Sequence, residues 1–169
     1  MPETAKSVFK TTIRASAHDV WEEITRTDDV IPCFFNMRMH VDAMRPGSRL
    51  RMRTANGKHT GVVGEILELD PPRRFAHTFR FTSLDDPPCK VIYDLRELPG
   101  GVEFTLTIEE LVPGTKTAKQ MTQGAAFILK TLKGCVEEGH PPLGCRMLLV
   151  LIKLTAPFTP KRCLSVNWP

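Results

Sequence analysis

From Met37 to Glu110 the chain changes hydropathy at every second residue, which limits this stretch to antiparallel sheet. Met37, Met39 and Val41 alternate with Arg38, His40 and Asp42, and Leu50 and Met52 with Arg49, Arg51 and Arg53. A third run covers Gly61–Leu69. Phe75, His77, Phe79 and Phe81 then alternate with Ala76, Thr78 and Arg80, and Val91, Tyr93 and Leu95 with Lys90, Ile92 and Asp94. Val102, Phe104, Leu106 and Ile108 close the series. The breaks are turn chemistry: Arg45-Pro46-Gly47, Asn56-Gly57, Asp70-Pro71-Pro72, Asp85-Asp86-Pro87-Pro88 and Pro99-Gly100-Gly101. Six meander strands with one wet and one greasy face result.

Helical period takes over on either side. Val8–Arg14 predicts one further strand, and Ser16 with Asp19 predicts a cap for a short helix through Val20, Trp21 and Ile24. Asp28–Phe35 predicts a second short helix. After Pro113-Gly114, Thr115–Glu138 carries Met121, Ala125, Ile128, Leu129, Leu132 and Val136 on one stripe. At 24 residues this helix is about 36 Å long, the one element able to cover a twisted sheet's apolar face. The expected fold is therefore α+β: a seven-stranded curved antiparallel sheet wrapped around a long C-terminal helix, with two short helices after the first strand. A sheet curled about one rod cannot close everywhere, so a pocket lined by Met, Phe and Leu is expected. Residues 1–140 form this ligand-binding domain. Residues 141–169 are a C-terminal extension, an apolar helix over Leu143–Thr155 and an extended tail, either packed on the domain or serving as an interaction element.

The order of elements resembles the helix-grip fold of the START and birch-pollen-allergen superfamily, also called SRPBCC. Within it, three stretches resemble the branch named after the activator of the heat-shock-protein-90 ATPase. They are Ile13-Arg14-Ala15-Ser16-Ala17 leading into Val20-Trp21; Gly64 to Phe75 with its Asp70-Pro71-Pro72-Arg73-Arg74; and Gly124 with Leu129, Leu132-Lys133, Val136-Glu137 and Gly139. The likeness covers Val8–Gly139. Three tryptophans common in that branch are replaced here, by Ala125, by Phe79 and by Cys33-Phe34-Phe35, which alters the shape of the interior. The resemblance implies binding of a small hydrophobic ligand, lipid-like or aromatic. It also implies two alternatives, a co-chaperone-like interaction module and a cyclase or hydrolase acting in the cavity. This chain has no room for the separate N-terminal domain of full activators.

Alternation assigns the cavity lining to Met37, Met39, Leu50, Met52, Phe75, His77, Phe79, Phe81, Tyr93, Leu95, Phe104, Ala125, Ile128 and Leu132. His77 and Tyr93 are polar groups on otherwise apolar faces. Either they orient a ligand or act as acid and base, or they are core residues with satisfied tips. Glu65 and Glu68, three apart on one strand, cannot share a bond; the parity of Glu68 with Ile66 turns it inward, leaving it as a third candidate.

No catalytic residue is assigned, since no nucleophile elbow, phosphate loop or dinucleotide fingerprint is present. No cofactor and no metal is expected, because five cysteines and five histidines are scattered without ligand spacing. An odd number of unpaired thiols without a leader sequence points to a cytoplasmic protein. A net charge of +4 is too small to imply nucleic acid, and no aromatics interleave with Arg49, Arg51 and Arg53, read as a solvated outer face. Met147–Ile152 is wholly apolar but only six residues long, so it does not cross a bilayer. An exposed apolar helix at 143–155 implies a partner, a second copy ahead of a membrane surface. A chaperone is the remaining partner.

Overall fold

A computed structural model of the chain describes residues 3–169. Its strands are β1 (Ala5–Ile13), β2 (Val30–Ile31), β3 (Met37–Val41), β4 (Arg49–Arg53), β5 (Thr60–Asp70), β6 (Arg74–Phe81), β7 (Cys89–Leu98) and β8 (Gly101–Leu111). Its helices are α1 (Ala17–Thr25), α2 (Lys116–Glu138) and α3 (Leu143–Thr155). The strands form one antiparallel sheet in the order β1-β8-β7-β6-β5-β4-β3-β2. The six-strand meander is thus bounded by β1 on one side and by the two-residue β2 on the other. The helix-grip expectation holds, with two local differences. The sheet has eight strands, and the second short helix is a single 3₁₀ turn, Pro32–Phe34, preceded by β2. Proline at the first position of that turn suits it, while Phe35 and Asn36 take left-handed φ values of 58° and 56° and end it.

Sequence explains the helix ends. Ser16 and Asp19 form a reciprocal capping box on α1. Thr115 caps α2, and Gly139 closes it with φ of 79°, the left-handed conformation glycine adopts without penalty. The last turn of α2 is tied to the β1–α1 corner. The Glu137 carboxylate accepts from the Arg14 backbone N–H at 2.8 Å and pairs with Lys133 Nζ at 3.1 Å, and Lys133 also donates to the Thr12 carbonyl. These interactions hold Glu137 well below the usual carboxylate range, at about 2. Two glycines answer steric demands. Gly64 on β5 faces the Thr78 carbonyl so closely that a Cβ would overlap it. At Gly134 a Cβ would stand 2.5 Å from Pro142 Cδ, so its absence lets the chain fold back from α2 into α3.

The core lies between the sheet's inner face and α2. Ile13, Ile24, Met39, Leu50, Ile66, Phe75, Phe104, Leu106 and Leu132 are buried there. On the outer face a register shift between Ile66 and Glu68 in β5 turns Glu68 out of the expected alternation. Glu68 pairs with Arg74 at 2.7 Å and with Lys90 at 3.8 Å, so the inward placement expected from its parity is corrected. The arginine stripe of β4 is only in part the solvated face expected: Arg49 is exposed, but Arg51 is buried and Arg53 partly so. The tail returns across it in 3₁₀ turns (Lys161–Cys163, Ser165–Asn167) rather than as a plain extended strap. Arg51 Nε donates to the Pro169 carbonyl at 2.9 Å, and Arg53 Nη2 to the Trp168 carbonyl at 3.1 Å. Ser165 adds hydrogen bonds to the Lys58 and Gly57 carbonyls. Arg51, buried by this tail, also holds Asp42 at 3.0 Å.

Candidate functional site

The fourteen residues assigned to the cavity lie in or against one apolar core. Met39, Leu50, Met52, Phe75, His77, Tyr93, Leu95, Phe104, Ala125 and Leu132 are buried; Met37, Phe79, Phe81 and Ile128 keep part of their surface exposed. Period-two geometry places the strand residues, since β6 sends Phe75, His77, Phe79 and Phe81 to one side and β7 sends Tyr93 and Leu95 to the same side. In the deep part of the grip, Phe75, Phe104, Ala125 and Leu132 are 0% exposed, so no water-sized space adjoins them.

An aromatic stack fills this region. The Phe75 ring lies 5.7 Å from Tyr93 and 5.3 Å from His77, and Phe104 lies 6.1 Å from Tyr93. Phe34 closes it from the 3₁₀ turn, 5.7 Å from Tyr93. The left-handed Phe35 stacks on Phe127 of α2 at 4.5 Å, across from Gly124. Phe34 and Phe35 were not among the expected lining residues. Their signal in the sequence was the double aromatic replacing a family tryptophan. Towards the sheet's short-stranded side, Phe79 and Phe81 meet edge to face at 4.8 Å, Phe81 is paired with Val62, and Met37 lies over the neighbouring Gly61, where a Cβ would approach its sulfur to 2.9 Å.

His77 and Tyr93 supply the polarity. His77 Nδ1 stands 2.8 Å from the Thr78 carbonyl, an acceptor, so that nitrogen carries the proton. Nε2 therefore accepts, and Tyr93 donates its hydroxyl to it at 3.3 Å. Burial pushes His77 down to about 4, partly countered by the Thr78 carbonyl, and pushes Tyr93 far up. At neutral pH both are uncharged. The Tyr93 oxygen, donating its proton to His77, still has acceptor capacity, the chemistry that would suit a single hydroxyl or N–H.

Two surface hollows lie elsewhere. One, of about 440 Å³, runs along α1 past Asp19, Glu22, Glu23, Arg26 and Asp28. The other, of about 220 Å³, lies between β4, β5 and the tail. The first is lined by polar and charged residues, and the second mixes Arg49 and Arg51 with Leu50, Val63 and Trp168. Among the described residues no cluster of His, Cys, Asp and Glu has the geometry to hold a metal ion.

A curled antiparallel sheet closed over one long helix, with an aromatic interior, defines the helix-grip class. The matching family model is "Activator of Hsp90 ATPase homolog 1-like protein", over residues 14–137, and the chain belongs to that family. Comparison with curated proteins finds no match. Among solved structures, the chain is similar to the Aha1 dimer from Colwellia psychrerythraea, at 15% identity and a TM-score of 0.63, covering 80% of this chain and 98% of that one. It is similar to CalU16 from Micromonospora echinospora at 20% identity and a TM-score of 0.59, covering 81% and 68%. It is similar to ChR145 from Cytophaga hutchinsonii at 19% identity and a TM-score of 0.63, covering 82% and 97%. At these identities the likeness is one of fold. No single helix among the described residues is long and apolar enough to cross a membrane.

Proposed function

We propose that residues 1–140 bind a small hydrophobic ligand, lipid-like or aromatic, between the sheet and α2. The observation supporting this reading is the His77–Tyr93 pair, two neutral polar side chains within an aromatic shell, with the tyrosine oxygen available to fix a ligand's orientation. The deep interior is closed, so on this reading a ligand enters by displacing the partly exposed Met37, Phe79 and Phe81 on the sheet's short-stranded side. Burial of apolar area supplies the affinity, at roughly 25 cal/mol per Å² before association costs. The test is a thermal-shift screen with fatty acids, sterols, flavonoids and polyketides. A true ligand at 100 times its Kd adds about 2.7 kcal/mol, a rise of roughly 5–10 °C for a chain of this size. Tyr93→Phe and Phe81→Ala should each lower that rise. If no compound class moves the melting temperature, the reading falls.

Family membership favours a second reading, an interaction with a chaperone ATPase in which the sheet and helix act as a docking body. Capture of the chaperone by the purified chain, with a raised ATPase rate, would support it over the first. The enzyme reading has less behind it. Glu68 is committed to Arg74 and Lys90 on the outer face, and neutral His77 has no carboxylate partner among its hydrogen bonds.

A further inference from the structure

We propose that the exposed apolar face of α3, with the turn that ends at Phe158, is a docking surface for an anionic lipid membrane, on which the protein lies without crossing it. Of the ten large apolar side chains exposed among the described residues, nine fall in residues 143–166. Leu143, Met147, Leu151 and Leu154 recur at helical spacing and share one face, while Cys145 and Leu149 are buried and seat the opposite side. Phe158 extends the face and is 85% exposed. The break at Gly139–Pro142 bends α3 back by 117° relative to α2, and this face of α3 remains exposed.

Charge decides the occupant. The chain has twenty-three basic and nineteen acidic residues; residues 139–169 hold four of the basic ones and none of the acidic ones, leaving nineteen of each elsewhere. The whole net charge of +4 therefore resides in the extension. Arg146 and Lys153, seven residues apart, lie along one edge of the apolar face, and Lys161 follows the turn. Among the described residues none of these three is paired with a carboxylate, whereas Arg162 is held by Asp85 at 2.7 Å. A second copy of α3 would bring like charges together without an acid on either to answer them. An anionic lipid surface offers both an apolar layer for the leucines and phosphate or carboxylate groups for the flanking cations. At 13 residues α3 is about 20 Å long, enough to lie in the interface and too short to cross about 30 Å of hydrocarbon.

The experiment is co-sedimentation of the full chain with vesicles of phosphatidylcholine alone and of phosphatidylcholine containing phosphatidylserine, alongside analytical ultracentrifugation without lipid. The variants are Leu151→Glu and the pair Arg146→Glu and Lys153→Glu, all at exposed positions, with near-UV circular dichroism to verify an unchanged fold. The full chain should pellet with the anionic vesicles, with binding reduced roughly tenfold or more by either variant, by added salt and by omission of phosphatidylserine. Binding unchanged by Leu151→Glu, no binding to either vesicle, or a dimer that Leu151→Glu dissociates without any lipid binding would each overturn the proposal. Since the interior is untouched by these variants, the thermal-shift result stands or fails separately.

Discussion

Tyr93 donates its hydroxyl to His77 Nε2 across 3.3 Å, and the ring is locked in that tautomer by the Thr78 carbonyl on its other nitrogen. Removing the hydroxyl leaves a buried imidazole nitrogen without a donor, which costs about 1–3 kcal/mol. Tyr93→Phe should lower stability by that order in chemical denaturation. Adding His77→Phe removes the orphaned acceptor as well, so the double variant should lose less than the sum of the two single losses. Additive losses would mean that the two groups do not interact.

Acid should destabilise the fold through His77. Its folded value of about 4 lies below the ordinary 6.5, so the unfolded chain binds the extra proton first as pH falls. The stability contributed by keeping this ring neutral is fully present above pH 6.5 and is lost as pH falls towards 4. The gap corresponds to roughly 3 kcal/mol. Denaturation midpoints between pH 4 and 7 should show this slope in the parent chain and a shallower one in His77→Phe. Below that window, loss of the Glu137 clamp adds a second decline as pH approaches 2.

Gly64 and Gly124 form a matched pair of tests. Gly64→Ala places a methyl group into the Thr78 carbonyl, so β5 and β6 must separate, with a loss of about 3 kcal/mol or more. At Gly124 the methyl would meet Phe35 at 3.6 Å, an ordinary contact, and alanine favours the helix by about 1 kcal/mol. Thermal melts should therefore move in opposite directions.

Arg51 is the centre of the tail clasp, reaching both Asp42 and the Pro169 carbonyl. Arg51→Met should free the last residues at a cost of about 2 kcal/mol. Limited proteolysis should then clip the C-terminus faster, and Trp168 should be quenched more readily by iodide. An unchanged cleavage rate would assign the hold to Ser165 and Arg53 instead.

Wherever local period alone decides structure, the sequence is a good guide. The meander and α2 follow from alternation and stripe, and α3 begins and ends at the residues its apolar run marks. The departures have physical causes. Val30–Ile31 is too short to show a period beside Pro32. Glu68 faces outward because one bulge breaks the parity that pointed it inward. The arginines of β4 look like a wet face because their partner, the Trp168–Pro169 backbone, lies more than a hundred residues away and offers carbonyls, which leave no mark in composition. Within the candidate site, alternation marks the inward side chains. How tightly they pack depends on Phe34 and Phe35, delivered by a left-handed turn that no periodicity encodes.

Strand length is uneven across the sheet. β5, β7 and β8 have ten or eleven residues each, β3 and β4 five, and β2 two. Opening free energy scales with the number of ladder bonds broken together, so the margin carrying Met37 yields first. Amide exchange should accordingly be fastest at β2 and β3. On the proposed ligand-binding reading, this asymmetry of the backbone would direct a guest toward Tyr93 through transient fraying of the short margin, while the long central ladders stay intact.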